Sequence, residues 1–316
     1  MRAAWLGALG AAAVVAVGLA VVWSADRDGV SLAPAGQPTP THSGADAVRV
    51  VVAADLACPS PTPQPDDCQQ AATSQVALGL SPEAVVLPGD LQYDRGTREE
   101  FVRAFAPSWG RLTAITHPAA GNHEYDSPGA APYFDYFGEA AGPPGRGWYS
   151  RDLGSWHVIA LNSNCAEVGG CGEGSPQLAW LRADLARNPA RCVMAFWHHP
   201  RWSHSKHGDH EQVGAFVEVL HAAGAELVFT GHDHNYQRFE PRRPDGARDE
   251  ATGVRQFVIG TGGRRLYPIS STQGLDAATD ESFGVLSLTL GANGYDWRFV
   301  PAAGGTYSDH GSATCH

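Results

Sequence analysis

A short apolar segment followed at once by a glycine and an aspartate places the strongest constraint on this fold. The run Val85-Val86-Leu87 predicts a buried strand, and Pro88-Gly89 ends that strand in a sharp turn. Asp90 and Tyr93 therefore fall at the edge where a parallel sheet carries its chemistry. An aspartate after a glycine turn also caps helices and stabilises turns, so this segment alone leaves a purely structural role open.

Polar side chains follow four further predicted strands in the same way. These strands cover residues 48–54, 112–116, 192–197 and 226–229, and the side chains that follow them are Asp55, Asn122, His198, His232 and His234. Helices are predicted at 69–80, 98–105, 176–187 and 211–222, with antiparallel strands of a second sheet at 148–149 and 156–161 and only strands beyond residue 255. This order predicts an α/β core of mixed sheets, with helices outside and the junction loops at one edge.

Charge and composition narrow the possible functions. The chain has 316 residues and a formal net charge of −11, and its lysines and arginines form no basic cluster. Binding of nucleic acid through phosphate contacts is therefore not expected. Hydrophobic residues make up 43% of the chain, which is ample for a large core.

The first 46 residues do not resemble part of a folded domain. Residues 3–23 are an uninterrupted apolar and glycine run, and its 21 residues predict either a signal peptide or an N-terminal membrane anchor within residues 1–25. Residues 26–46 are rich in Pro, Ser, Thr and Gly and predict a flexible linker, which leaves residues 47–316 as one folded domain. We expect an extracytoplasmic protein, secreted or tethered to the membrane through this segment alone.

The six cysteines indicate disulfide bonds. An even count behind an export signal is typical of an oxidising compartment, and no CxxC pair supports a thiolate metal site. Short spacing favours Cys58–Cys68 and Cys165–Cys171, which leaves Cys192 to tether the C-terminal tail at Cys315.

Histidines are concentrated in the second half of the chain, where eight of the 14 lie between His198 and His234. Histidine is the commonest metal ligand and also the acid–base group that titrates near neutrality. The five strand ends together offer seven oxygen and nitrogen ligands, enough for two ions bridged by the carboxylate of Asp90. The seven residues are Asp55, Asp90, Tyr93, Asn122, His198, His232 and His234.

Five short blocks occur in the order that defines the calcineurin-like metallophosphoesterases. The chain resembles that family in Asp55-Leu56-Ala57, Gly89-Asp90-Leu91-Gln92-Tyr93, Gly121-Asn122-His123-Glu124, Phe196-Trp197-His198 and Gly231-His232-Asp233-His234. Tyr93 makes it similar to the purple acid phosphatase branch, although Ala57 replaces the usual Gly or His and Ala195 the usual Val. The resemblance implies mixed β-sheets packed as a β-sandwich flanked by helices, in a single catalytic domain.

The resemblance also implies which ligands hold which ion. One metal is assigned to Asp55, Tyr93 and His234, the other to Asn122, His198 and His232, with Asp90 bridging the two. His198 is preferred to His199 because the family ligand lies two residues before the proline. Two carboxylates and a phenolate favour Fe(III) at the first site, whereas the neutral ligands of the second suit Zn(II), Mn(II) or Fe(II).

Two further histidines are expected to act on the substrate. His123 is predicted to hold a phosphate oxygen or to protonate the leaving alkoxide, and His207 lies where the purple branch keeps a second substrate histidine, with His204 as the alternative. For His204 and His207 a solvated loop position is the competing interpretation. Arg238 is interpreted either as a phosphate ligand or as a surface charge.

The expected activity is that of a metal-dependent phosphoric ester hydrolase similar to an acid phosphatase. The resemblance implies that a metal-bound hydroxide attacks the phosphorus of a small phosphate monoester. A phosphodiesterase or nucleotidase with the same metal centre is one alternative. A non-catalytic, metal-stabilised cell-surface binding module is another, but it predicts missing ligands, and none is missing. The oligomeric state is left open.

Overall fold

The computed structural model describes residues 41–316 except 43, 45, 65 and 303. Thirteen strands are present among these residues: β1 Val48–Val52, β2 Ala84–Pro88, β3 Thr116–Ala119, β4 Tyr149–Leu153, β5 Trp156–Ala160, β6 Cys192–Phe196, β7 Leu227–Thr230, β8 Tyr236–Phe239, β9 Arg255–Ile259, β10 Leu275–Thr279, β11 Gly284–Gly291, β12 Gly294–Pro301 and β13 His310–Thr314. The α-helices are α1 Gln70–Gly79, α2 Arg98–Glu100, α3 Asn122–Tyr125, α4 Ala131–Phe137, α5 Pro176–Arg187 and α6 Gly214–Ala222. The predicted anchor or signal at 1–25 and most of the predicted linker lie outside the described residues.

Two mixed sheets form the centre of the fold. The first has six strands in the order β13-β12-β11-β1-β2-β3, and the second has seven in the order β10-β8-β9-β7-β6-β5-β4. Strands β1, β2 and β3 are parallel to one another, as are β5, β6, β7 and β9. The predicted α/β sandwich with mixed sheets is therefore confirmed.

Three apolar layers hold the sheets and helices together. The central layer packs side chains of both sheets against each other, among them Val52, Phe196 and Leu288. A second layer covers the first sheet with helical residues such as Phe101 and Tyr133. A third covers the second sheet, with Leu181 of α5 and Phe216 of α6. Strands β2 and β6 are buried along their whole length, and their sequences are accordingly continuous apolar runs.

Most predicted elements are confirmed within one or two residues, and the remaining ones differ in type or in bounds. The predicted strand at 112–116 is wrong over 112–115, since Trp109–Ile115 forms a 3₁₀ helix and β3 begins at Thr116. Helix 98–105 begins as α2 and continues as a π-helical turn, Phe101–Phe105. The predicted helix at 211–222 begins with a 3₁₀ turn, Glu211–Val213. Helix α4 and strands β8, β10 and β13 were not predicted.

All three predicted disulfides are present: Cys58–Cys68, Cys165–Cys171 and Cys192–Cys315. The last one ties the C-terminal end of the chain to the first residue of β6, a buried central strand. Within the part of the chain that the structure describes, no helix has the length and apolar character needed to cross a membrane.

Candidate metal centre

The ends of β1, β2, β3, β6 and β7 meet at one edge of the two sheets. The seven predicted ligands lie there, six on the loops that follow these strands and Asn122 at the first residue of helix α3. The structure brings them together in two groups that share the Asp90 carboxylate. Five of the seven are buried, and Asn122 and His232 are half-buried.

The first group surrounds the hydroxyl of Tyr93. Its Oη lies 2.8 Å from Asp55 Oδ1, 3.0 Å from Asp90 Oδ2 and 3.0 Å from His234 Nε2. A phenol carries a single hydrogen, yet three acceptor atoms lie within hydrogen-bond distance of it. Nδ1 of His234 donates to the Arg265 carbonyl oxygen at 2.9 Å, so in the neutral ring Nε2 faces the Tyr93 hydroxyl with its lone pair.

The second group surrounds Nε2 of His198. This nitrogen lies 3.1 Å from Asn122 Oδ1, 3.2 Å from His232 Nδ1 and 3.2 Å from Asp90 Oδ2. The other ring nitrogen, Nδ1, donates to the Pro88 carbonyl oxygen at 2.9 Å. Metal-bound histidines characteristically donate their second N–H to a carbonyl in this way, which fixes the ring and its tautomer.

The donor chemistry of both groups fits a metal centre. Each group gathers more lone pairs around one point than its own protons can satisfy, and a cation resolves that excess. Asp55, Tyr93, His234 and Asp90 would hold one ion, and Asn122, His198, His232 and Asp90 the other. The ligating atoms of Asp90, His198 and His232 all lie within 4.8 Å of one another. Cys58, Asp67 and Cys68 also lie close together, but the two cysteines are joined in a disulfide.

Three of the candidate ligands adopt a backbone conformation that is unusual for residues with a side chain. The φ angles of Asp55, Asp90 and His232 are 59°, 50° and 71°. Non-glycine residues in the left-handed region are uncommon, and they concentrate at functional sites where surrounding structure enforces them. Gly89, with φ 84°, is required beside Asp90, because a Cβ there would lie 2.7 Å from the His198 side chain.

Glu124 is a residue of this site whose role sequence analysis missed. Its fully buried carboxylate accepts hydrogen bonds from four backbone N–H groups, those of Asp90, Leu91, Gln92 and Gly121, at 2.7–3.2 Å. It thereby clamps the loop after β2 to the start of α3, with Asp90 and Asn122 on either side. Its place in the Gly121-Asn122-His123-Glu124 block was the only available signal, since three of the four N–H groups lie 32 or more residues away.

In the metal-free cluster, burial and the neighbouring carboxylates shift the pKa values of two candidate ligands, His198 and Tyr93. Burial lowers the pKa of His198, but the Asp90 carboxylate outweighs it and raises that pKa to about 9. Burial, followed by the Asp55 and Asp90 carboxylates, raises the pKa of Tyr93 well above its usual range. A proton on His198 and a proton on Tyr93 therefore occupy the positions that cations would take, so metal loading is coupled to proton release.

His123 lies beside this cluster and outside both ligand groups. Its backbone N–H donates to Asp90 Oδ1 at 2.9 Å, and its ring lies 4.3 Å from that of Tyr93. Nδ1 contacts the Asp94 carbonyl oxygen at 2.5 Å, and Nε2 is 3.9 Å from Asp90 Oδ2. Burial lowers the pKa of His123, but the Asp90 carboxylate, the Asp94 carbonyl group and the Glu124 and Asp126 carboxylates together outweigh burial and raise it. The ring is thus held at the mouth of the site in a form suited to donating a proton.

His207 lies next to the second group. Its ring centroid is 4.2 Å from that of His232 and 5.7 Å from that of Tyr267. Asp233 fixes this loop, since its carboxylate accepts from the His207 backbone N–H at 3.0 Å and from the Ser203 hydroxyl at 2.5 Å. Asp233 therefore shapes the backbone and stays outside both ligand groups.

The sequence model for the family described as calcineurin-like phosphoesterase matches residues 48–236, more than half of the chain. This chain belongs to the calcineurin-like phosphoesterase family. The matched range begins with β1 and ends just after His234, so it contains all seven candidate ligands.

Relatives of this phosphoesterase include plant and animal phosphatases. It is 28% identical over 204 residues to purple acid phosphatase 18 of Arabidopsis thaliana, covering 57% of this chain and 43% of that protein. It is 26% identical to acid phosphatase type 7 of Mus musculus, covering 50% of this chain and 41% of the mouse protein. The chain thus spans less than half the length of either relative.

A solved purple acid phosphatase has the same fold. The structure of PPD1 from yellow lupin (Lupinus luteus) seeds superposes with a TM-score of 0.68 at 19% identity, covering 88% of this chain and 55% of the lupin chain. The resemblance to the purple acid phosphatases stated from the sequence blocks is thereby confirmed.

Three other polar residues of this calcineurin-like phosphoesterase have structural contacts. His199 shares a hydrogen bond with the Ser163 hydroxyl, 2.8 Å from Nδ1, and His204 Nε2 contacts the Gln273 carbonyl oxygen at 2.8 Å. Both interpretations of Arg238 were wrong. It is buried and forms ion pairs with Asp309 and Asp276, each at 2.8 Å, because β8 carries it into the sheet and away from the metal centre.

Proposed function

We propose that this protein is a phosphomonoesterase that works with two metal ions. The observation that carries the proposal is the arrangement of seven donor side chains in two groups that share Asp90 Oδ2, 3.0 Å from Tyr93 Oη and 3.2 Å from His198 Nε2. A carboxylate oxygen between two such groups suits a bridging ligand. Family membership and the purple acid phosphatase relatives support the same activity.

We assign Fe(III) to the Asp55, Tyr93 and His234 group, because a phenolate and carboxylates favour a hard, highly charged ion. Zn(II), Mn(II) or Fe(II) suits the Asn122, His198 and His232 group. Bound ions would supply positive charge to hold the phosphate and would activate water as the nucleophile.

The protein's own side chains provide the remaining chemistry. His123 donates a proton to the leaving oxygen from Nε2, because its Nδ1 is held by the Asp94 carbonyl oxygen. His207, beside His232, binds a phosphate oxygen. The substrate is a small phosphorylated molecule, and the negative net charge disfavours nucleic acid.

We further propose an extracytoplasmic location, secreted or tethered through the N-terminal segment, with residues 47–316 as one catalytic domain. Three disulfides and the absence of free cysteines in the described part of the chain support an oxidising compartment.

Hydrolysis of three substrate classes tests this function. Metal-loaded protein is assayed with p-nitrophenyl phosphate, bis(p-nitrophenyl) phosphate and a panel of nucleotides. We expect the largest kcat/KM for the monoester, by at least about tenfold over the diester, and its loss in Asn122→Ala. Faster hydrolysis of the diester or of nucleotides would make the protein a phosphodiesterase or nucleotidase. Protein that binds two metals and hydrolyses none of the three would be a binding module.

A further inference from the structure

A pocket opens directly beside the candidate metal centre on the side of Asn122. Its volume is about 290 Å³, and it lies between helix α3 and the loop that the Cys165–Cys171 disulfide closes. Asn122 lines both the pocket and the metal centre. A phosphate held by the metal ligands would therefore have its ester substituent within reach of this pocket.

Two mostly buried side chains in the pocket wall each have a polar atom that makes no hydrogen bond within the described residues and that still reaches solvent. Asn164 is 8% exposed, and its amide nitrogen donates to the Ala120 carbonyl oxygen at 3.1 Å and to Asn162 Oδ1 at 2.9 Å, which leaves its own Oδ1 as an acceptor. His199 is also 8% exposed. The Ser163 hydroxyl accepts from the His199 backbone N–H and shares a second hydrogen bond with Nδ1, which leaves the other ring nitrogen, Nε2, to the pocket.

The Tyr125 hydroxyl is a third polar group in the pocket wall. The Tyr125 hydroxyl accepts from Asn162 Nδ2 at 2.8 Å, so its own hydrogen is available to a ligand. The pocket therefore offers Asn164 Oδ1 as an acceptor, the Tyr125 hydroxyl as a donor and the ring nitrogen Nε2 of His199 to a molecule that carries hydroxyl or amine groups. A ligand in the pocket would take the place of solvent at these atoms.

The charge of the lining is negative only. Asp126 and Glu167 are its charged residues, and neither lysine nor arginine is among the lining residues. Asp126 lies 3.4 Å from His123 Nδ1, whereas Glu167 forms no salt bridge within the described residues. The field of these carboxylates attracts a cationic substituent and repels an anionic one.

We propose that this pocket receives the alcohol portion of the substrate and selects short amino alcohols, so that the preferred substrates are phosphomonoesters carrying an ammonium group. The inference rests on the proposed phosphomonoesterase function. The volume of about 290 Å³ lies just below the ~300–1,000 Å³ range of ligand pockets. At ~30 Å³ per water molecule, it holds on the order of ten heavy atoms, which accommodates a short amino alcohol.

Three esters of matched size and different charge test the proposal. They are 2-aminoethyl phosphate, 2-hydroxyethyl phosphate and carboxymethyl phosphate, whose substituents are cationic, neutral and anionic. Each ester is compared between wild type and Glu167→Gln, so that its intrinsic reactivity cancels. A charge at ~4 Å in water contributes about 1 kcal/mol, which corresponds to roughly a fivefold effect.

We expect Glu167→Gln to lower kcat/KM for the aminoethyl ester by about fivefold, to raise it for the carboxymethyl ester by a similar factor, and to change the hydroxyethyl ester least. Added salt should reduce both differences in kcat/KM between wild type and Glu167→Gln. Glu218→Gln, a matched change of an exposed glutamate on α6 outside this pocket, should change none of the three.

The outcomes separate this inference from the function on which it rests. If all three esters are hydrolysed and Glu167→Gln shifts them equally or not at all, the pocket does not select by charge, while the phosphomonoesterase function stands. If metal-loaded wild type hydrolyses none of them, the function itself fails and this inference fails with it.

Discussion

At the scale of single residues, Tyr93 distinguishes this site from a general cluster of carboxylates and histidines. Its hydroxyl contacts three acceptors at 2.8–3.0 Å, and the Asp55 and Asp90 carboxylates help to raise the pKa of the metal-free phenol, after burial. A strongly charged cation would be needed to displace a proton held this firmly. This is the reason for the proposed assignment of Fe(III) to the position of Tyr93.

Removing the phenol should remove the colour of the protein. Aerobically purified wild type is expected to show a visible phenolate-to-iron charge-transfer band, and Tyr93→Phe should abolish it while retaining much of the activity, because Asp55, Asp90 and His234 remain. The measurement is a visible absorption spectrum with metal analysis. A colourless, fully active wild type carrying two zinc ions would contradict the iron assignment.

His123 should affect chemistry and leave metal binding intact, since it lies outside both ligand groups. His123→Ala is expected to retain both metals and to lower kcat for an alkyl phosphate by ~10²–10⁴-fold, the range typical of a general acid. The loss should be smaller for p-nitrophenyl phosphate, whose leaving group needs no proton. An equal loss for both esters would make His123 a residue that positions the phosphate.

At the scale of elements, the C-terminal strands are joined to the second sheet by a buried ion pair. Asp309, just before β13, accepts two hydrogen bonds from Arg238 of β8 at 2.8 and 3.0 Å and further ones from Tyr236 and Trp297. Burial raises the pKa of Asp309, but Arg238 and Tyr236 outweigh it and lower that pKa. This carboxylate therefore stabilises the folded state in its charged form.

Asp309→Asn should lower the free energy of unfolding at pH 7 by about 2 kcal/mol, below the ~3–5 kcal/mol typical of a broken buried pair, because Arg238 keeps Asp276. A depressed pKa contributes stability above the unfolded value of ~3.9, and that contribution is lost as the pH falls through the folded pKa. The difference between wild type and variant should therefore be constant from pH 7 to 5 and shrink below pH 4.

Urea unfolding across this pH range is the measurement for Asp309→Asn. Asp135→Asn, a change at an exposed aspartate of α4, should cost under about 0.5 kcal/mol at every pH. A difference for Asp309→Asn that grows on acidification would contradict the ion-pair account.

Sequence patterns predicted some elements accurately and others poorly for identifiable reasons. Helix α5 was predicted with its observed bounds, because Ser175 caps its N-terminus and Pro176 begins it, both local signals. Strand β13 has an exposed polar sequence and is defined only by pairing with β12. Arg238 was misinterpreted because its partner Asp309 lies 71 residues away. Long-range pairing of this kind leaves no local pattern.

In the candidate site, too, local sequence patterns predicted some features and missed others. The seven donors were recognisable because each follows a strand within a short block. The carbonyl groups that set the histidine tautomers, those of Pro88 and Arg265, were not predictable, since every residue has a carbonyl and only the fold selects these two. The role of Glu124 was hidden for a similar reason, as it binds backbone groups of any residue type.

At the scale of the whole molecule, strands of both sheets end at one common edge. Asp55, Asp90 and Asn122 come from the first sheet, and His198 and the His232–His234 segment from the second. The centre therefore exists only when both sheets are packed together, and Asp90 is the residue that joins the two ligand groups. Two ions sharing Asp90 is the central claim of this account.

Metal content of Asp90→Asn tests that claim most directly. Purified wild type is expected to contain two metal ions per chain by elemental analysis, and Asp90→Asn should lose metal from both positions together with nearly all turnover of p-nitrophenyl phosphate. Asp135→Asn, matched in chemistry and distant from the centre, should keep two ions. Retention of two metals with normal activity in Asp90→Asn would contradict a shared, bridged centre.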